Sequence, residues 1–222
     1  MQQPANFDSV SLDAVIGDWI TALKEFSVEA LLVLGPDPFG AEDKRLVLAL
    51  HPPRLLEAAH ELAQSLDFGA SWRESDAPLA VWQDISRSAF DNLGRWRRLW
   101  LAHGFQSMVR VAFPVTVGRA FEVYLFSPRH WHGRTEAALL TWSSLNVWPL
   151  LKRAIAEVRN PLSPRELECL KLAFGGLTAR ESGDRLACSE RTVNFHISNA
   201  MSKLKVDTKL AAIQRACWFG LI

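Results

Sequence analysis

Apolar residues recur at helical spacing near the start of the chain. In residues 11–26, SLDAVIGDWITALKEF, positions Leu12, Val15, Ile16, Trp19, Ile20 and Leu23 repeat at threes and fours, with Ser11 or Asp13 as the cap. The pattern then shortens. VEALLVLGP and RLVLALH are apolar runs closed by Gly, Pro or His, as strands are, and GPDPFG between them reads as a turn. Pro52 and Pro53 predict the opening of a helix, RLLEAAHELAQSL, because a first-turn proline lacks only an N–H that would have no helical partner. Residues 67–85 show no period and are expected to be irregular. A helix over 86–103 then places Phe90, Leu93, Trp96 and Trp100 on one face. MVRVAFPVTV and RAFEVYLF, split by Gly118, predict a hairpin, and a long helix over 134–158 is expected to be interrupted at Pro149.

Strands in this order do not alternate with helices as a parallel βαβ array requires. The reading is α+β: residues 1–158 form an α/β/α layered domain, an antiparallel sheet with helices on both faces. Residues 159–162 are a link, and 163–222 an all-α domain of four helices. Ser163 with Glu166, and Thr178 with Glu181, have capping-box spacing, and Pro164 takes the first helical position. Ser189 caps a third helix, SERTVNFHISNAMSKL, whose Val193, Ile197, Met201 and Leu204 face inward. In the fourth, TKLAAIQRACWFGLI, the buried set is Leu210, Ile213, Ala216 and Cys217 or their neighbours.

A short capped helix, a tight turn at 187–189 and a longer helix with a polar start make a helix-turn-helix. Asn194, Ser198 and Arg191 point outward, where a major groove would lie, and Lys203, Lys205 and Lys209 gather near the helix end for phosphates. Glu166, Leu170, Val193 and Ile197 read as scaffold, and His196 as a packed histidine.

Overall charge first argues against nucleic acid, with 25 basic and 24 acidic side chains for a net +1. That total hides an asymmetry. From Asn160 onward nine basic residues face six acidic ones, a net of +3, while eight of the nine tryptophans lie before it. The three cysteines, Cys169, Cys188 and Cys217, fit neither a disulfide framework nor a zinc site. No apolar run suggests a membrane span and no signal peptide is visible, so a reducing cytoplasm is expected. Motifs for nucleotide, metal or nucleophile chemistry are missing, so neither enzyme activity, cofactor nor metal is expected, and His130 and His132 read as a polar turn.

The stretch LSPRELECLKLAFGGLTARESGDRLACSERTVNFHISNAMSKL closely resembles the GerE/LuxR-type helix-turn-helix in the spacing of Glu166, Gly176, Thr178, Glu181, Thr192, Val193, His196 and Lys203–Leu204. The resemblance implies that Asn194, Phe195 and Ser198 read base edges. The candidate interface is Arg191, Thr192, Asn194, Phe195, Ser198, Lys203, Lys205 and Lys209. Two departures stand out: Leu172 for the usual tryptophan, and Ser182–Gly183 for an apolar-small pair. A mid-helix glycine costs about 1 kcal/mol relative to alanine, which predicts a marginal second helix.

The order of elements before residue 159 resembles the acyl-homoserine-lactone-binding domain of quorum-sensing LuxR proteins, with echoes at HPP 51–53, Trp82, His103–Gly104, the FPV strand and WPLLKRA. Registered on HPP, the family's pocket tryptophan and tyrosine become Leu55 and Ala59, and its Asp-Pro becomes Phe68–Gly69. Asp67 lies one residue away, Trp82 is kept, and Ala120 stands near the strand glycine. Leucine, alanine and phenylalanine cannot hydrogen-bond a lactone, and each unpaired ligand group costs about 1–3 kcal/mol. Three readings follow: ordinary lactone binding, a different and more apolar signal molecule, or a pocket filled by its own side chains such as Phe68 and Trp82. Trp96, Trp100, Trp142 and Trp148 read as core or dimer interface. The last long helix, with Leu140, Leu145, Trp148, Leu151 and Ile155, is the candidate for self-association. The expected partners are an inverted-repeat duplex, a second copy and a small signal molecule. The alternative is an interaction protein that pairs with a related regulator and antagonises it.

Overall fold

The computed structural model describes residues 11–36, 45–65, 79–87, 94–116, 119–218 and 220–222. They divide into two compact units between Ala154 and Ile155. The first contains α1 (Leu12–Ala22), β1 (Ala30–Pro36), β2 (Arg45–His51), α2 (Leu56–Gln64), β3 (Ala80–Asp84), α3 (Arg95–Ala102), β4 (Ser107–Thr116), β5 (Arg119–Ser127) and most of α4 (Arg134–Arg159). The sheet runs β2-β1-β5-β4-β3 and every pairing is antiparallel.

Strand alternation gives the sheet two apolar faces. On one, Ala30, Leu32 and Leu34, with Met108, Tyr124 and Phe126, pack against Leu55, Ala58, Ala59 and Leu62 around α2 and against Trp96 and Trp100 of α3. Trp100 stacks on Phe126 with centroids 3.5 Å apart and planes 6° from parallel, and its Nε1 donates to the Ala58 carbonyl at 3.2 Å. On the other, Leu31, Val33, Val109, Val111, Val123 and Leu125 are buried. There Trp148 of α4 stacks on Phe113 at 4.4 Å, and Trp19 of α1 donates from Nε1 to Ser143 Oγ at 2.8 Å. Helices thus cover both faces, as the α/β/α reading expects.

Four local expectations need correction. Residues 80–84, read as irregular, form edge strand β3; five residues ending in Gln-Asp are too short for alternation to stand out. Of the helix expected over 86–103, the described residues show α3 over 95–102, with 86, 87, 94 and 103 outside it; Phe90 and Leu93 lie outside the described residues. Of the kink or break expected at Pro149, the break does not occur, since α4 continues through it. Proline deprives the Leu145 carbonyl of its helical donor, but Leu145 and Pro149 both lie on the exposed side, where water substitutes. Finally, Pro53 begins a short 3-10 turn, 53–55, and α2 follows it. The GPDPFG turn and residues Asp67 and Phe68 fall largely or wholly outside the described residues.

The second unit contains α5 (Pro164–Phe174), α6 (Ala179–Leu186), α7 (Glu190–Lys203) and α8 (Lys209–Trp218). Cys169, Leu170, Val193, Ile197, Ala200, Leu204, Ala212, Ile213 and Ala216 form its buried set. Leu210, expected to be buried, is 75% exposed because it lies in the first turn of α8, away from Ala212, Ile213 and Ala216. No helix among the described residues is long and apolar enough to cross a membrane.

Candidate functional site

Local caps set the starts of α5, α6 and α7. Both expected capping boxes form, Ser163 with Glu166 and Thr178 with Glu181, and Ser189 Oγ accepts from the Thr192 N–H at 3.1 Å. Between α6 and α7 the chain turns through Ala187, whose φ of 54° is left-handed. Here Gly183 serves for a different reason from flexibility. A Cβ at this position would lie 2.7 Å from the Cys188 carbonyl oxygen and 3.3 Å from the Glu190 nitrogen. The glycine that was expected only to weaken α6 lets the turn lie against it. Gly183→Ala gains about 1 kcal/mol of helix propensity but incurs an overpacking cost of about 1–3 kcal/mol against rigid backbone. The expected net result is a lower denaturation midpoint for the second unit. A midpoint above wild type would mean that the turn moves aside freely.

Helix α7 buries Val193, Ile197 and Ala200 and exposes the opposite side. Arg191, Asn194, Phe195 and Ser198 share that exposed face at three- and four-residue spacing, and Phe195 is 60% exposed. Lys205, left-handed at φ 52°, and Lys209 at the start of α8 are also exposed. Two candidates stand differently. Thr192 is half-buried, with its hydroxyl 2.8 Å from Ser189 Oγ, so it belongs to the helix cap. Lys203 Nζ donates to Glu166 Oε2 at 2.8 Å, tying the end of α7 to the first turn of α5. Arg215 donates to the Leu204 carbonyl at 2.5 Å, closing the same helix end.

Burial pushes the Glu166 carboxyl up, but hydrogen bonds from Lys203 and Ser163 outweigh it and hold the group below its ordinary value. A carboxyl lowered in the folded state contributes stability above its unfolded value, near about 4.3, and loses it as pH falls through the folded value. The second unit is therefore expected to weaken in acid below that range. Glu166→Gln should flatten this part of the pH profile in denaturant titrations; an unchanged acid limb would remove Glu166 from the account.

The described candidate pocket residues divide between the two faces of the sheet. Leu55 and Ala59 are fully buried in the core beneath α2 and α3, and Ala120 lies on that same face of β5. Trp82 pairs with Val109 and therefore points to the opposite face. It is 38% exposed and lines a separate pocket of about 420 Å³ with Gln83, Asp84, Arg87, Ser107, His130 and Trp131. His130 Nδ1 lies 3.1 Å from Asp84 Oδ2, so this polar turn is tied to the edge strand.

Sequence reasoning missed a buried polar cluster on the α2/α3 face. Glu122 Oε1 accepts from Arg110 Nε at 2.9 Å and also from Arg110 Nη2; Oε2 accepts from Arg45 Nη1 at 3.3 Å and from the Tyr124 hydroxyl at 3.1 Å. Arg45 also donates to the carbonyls of Ala63, at 3.1 Å, and Ser65, closing the end of α2. Burial and the Glu122 charge push the Tyr124 phenol well up, so it stays a protonated donor. The available signal was a charged residue at an inward position within each of three apolar runs, RLVLALH, MVRVAF and FEVYLF.

Of the residues on the one helix expected to associate, Leu140, Leu151 and Ile155 are core residues and Trp148 packs on Phe113. The periodicity of α4 has two apolar sides, and its exposed one carries Leu139, Trp142, Leu145 and Leu150.

Four helices, three of them capped as above, with this turn define a helix-turn-helix domain. Residues 160–216 match the GerE family, bacterial regulatory proteins of the luxR family, and the carboxyl-terminal unit belongs to that family. Over 150 residues the chain is 33% identical to the transcriptional activator protein SolR of Ralstonia solanacearum, a match covering 66% of this chain and 60% of SolR. The matched part thus spans less than two thirds of that relative. A second match, 45% identical over 64 residues, is to RpaR, an HTH-type quorum sensing-dependent transcriptional regulator of Rhodopseudomonas palustris; it covers 29% of this chain and 26% of RpaR. Among solved structures, SdiA in complex with octanoyl-rac-glycerol aligns with a TM-score of 0.51 over 98% of this chain and 97% of its own. At 18% identity, that likeness is one of fold.

Proposed function

We propose that this chain is a sequence-specific DNA-binding transcriptional regulator of the LuxR type. Residues 163–222 bind an inverted-repeat duplex, residues 159–162 link, and residues 1–158 dimerise and lack the usual acyl-homoserine-lactone anchors. The observation that carries the reading is α7, which is apolar toward its own unit and presents Arg191, Asn194, Phe195 and Ser198 on its exposed face. Arg191 and Asn194 supply donors for base edges, and Lys205 and Lys209 supply cations for phosphates. The exposed stripe of α4, Leu139, Trp142, Leu145 and Leu150, suits a second copy, and a two-fold pair of α7 helices matches two half-sites.

Leu55 and Ala59 expose no surface, so neither borders a space that admits water. This favours action without an acyl-lactone, and a small apolar signal molecule, if one acts, binds elsewhere in the first unit.

The test is enrichment of duplexes from a random-sequence library by the full chain, followed by binding measurements at rising salt. Affinity should fall linearly on a log–log plot with a slope set by the phosphates contacted. Asn194→Ala should weaken binding to the enriched duplex about tenfold or more, the size of one lost base contact, and leave non-cognate binding unchanged. No enriched duplex, or equal behaviour of the variant, would overturn the reading. Binding that appears only after a LuxR-type relative is added would replace it with the antagonist alternative.

A further inference from the structure

We infer that Phe195 reads the C5-methyl group of a thymine in the major groove, an assignment that rests on the DNA-binding reading above and names the base at that site. Phe195 is 60% exposed although Val193 and Ile197, two positions to either side, are buried core residues. The ring stands at 61° to that of His196, with centroids 5.8 Å apart. It stands between Asn194 and Ser198, both exposed on the same face.

A phenyl ring has neither donor nor acceptor, so it cannot pair with the N7, O6, O4 or amino groups that mark the other features of the groove. The thymine methyl is the largest apolar group that a base edge offers there, where cytosine has only a C5 hydrogen. Asn194, one residue away, carries the amide that suits the N6 and N7 of adenine. The two side chains together therefore favour A·T pairs at neighbouring steps.

Single thymines of a duplex enriched by the wild-type chain are replaced by deoxyuridine, which removes only the methyl group, and affinity is measured by fluorescence anisotropy. In each half-site one replacement should weaken wild-type binding about fourfold, the value of one buried methyl-sized group. The same replacement should leave Phe195→Ala unaffected, while Phe195→Leu keeps part of the discrimination. This ratio of affinities compares two duplexes on one protein, so a change in stability does not move it. The inference is overturned if no deoxyuridine position matters to wild type, or if Phe195→Ala discriminates equally well. Enrichment with Asn194-dependent binding but no methyl effect defeats this inference alone; failure to enrich any duplex defeats the DNA-binding reading as well.

Discussion

Glu122→Ala is expected to destabilise the first unit by about 3–5 kcal/mol, because it takes one carboxylate from two buried guanidiniums. Arg110 and Glu122 are 4% and 3% exposed at their side chains, and Arg45 is 9% exposed. Burial alone would lower the Arg110 value, but Glu122 beside it raises it, so the guanidinium remains charged and depends on its partner. Chemical denaturation of wild type and variant provides the measurement. Glu122→Gln should recover little, since it keeps the shape and loses the charge. Replacing Arg45, Arg110 and Glu122 together with apolar residues of similar volume should recover most of the loss, because desolvation of the ions disappears with them. A loss below about 1 kcal/mol for Glu122→Ala would mean that the cluster is hydrated.

Trp100→Ala is expected to cost about 3–5 kcal/mol, the range for deleting a large buried aromatic. Trp100 exposes no surface and fills the space between Phe126, Phe105 and α2, with Phe105 edge-on at 5.4 Å. Trp100→Phe, which keeps most of the stack, should cost appreciably less. The result bears on the candidate pocket too, since Leu55 and Ala59 share this core. If Trp100→Ala loses almost nothing, the interior beneath α2 and α3 is loosely filled, and the case for action without a ligand weakens.

Helix starts were legible in the sequence because their causes are local. Ser163, Thr178 and Ser189 each find their partner three residues on, so spacing alone locates α5, α6 and α7. The long strands β4 and β5 were legible because they carry extended apolar runs. Edge strand β3 was not, since Trp82 and Asp84 take their meaning from pairing with Val109 and Ser107. Pro149 misled for a related reason: a missing N–H matters little where water can serve the freed carbonyl.

The candidate interface was legible as a face but not residue by residue. Asn194, Phe195 and Ser198 stand exposed on α7 as expected, whereas Lys203 is engaged by Glu166, which lies 37 residues earlier in the chain. No local pattern announces such a pairing. The pocket was the least legible part, because a register drawn on HPP says nothing about which face of the sheet Trp82 takes.

The capping boxes of α5 and α6 have a consequence in time. Each closes within four residues, whereas β1 must find β5 by bringing Ala30 opposite Phe126. Contacts between near neighbours in sequence form quickly and distant ones slowly. The helix-turn-helix unit can therefore mature while the sheet is still searching for its register, even though the ribosome makes the sheet first.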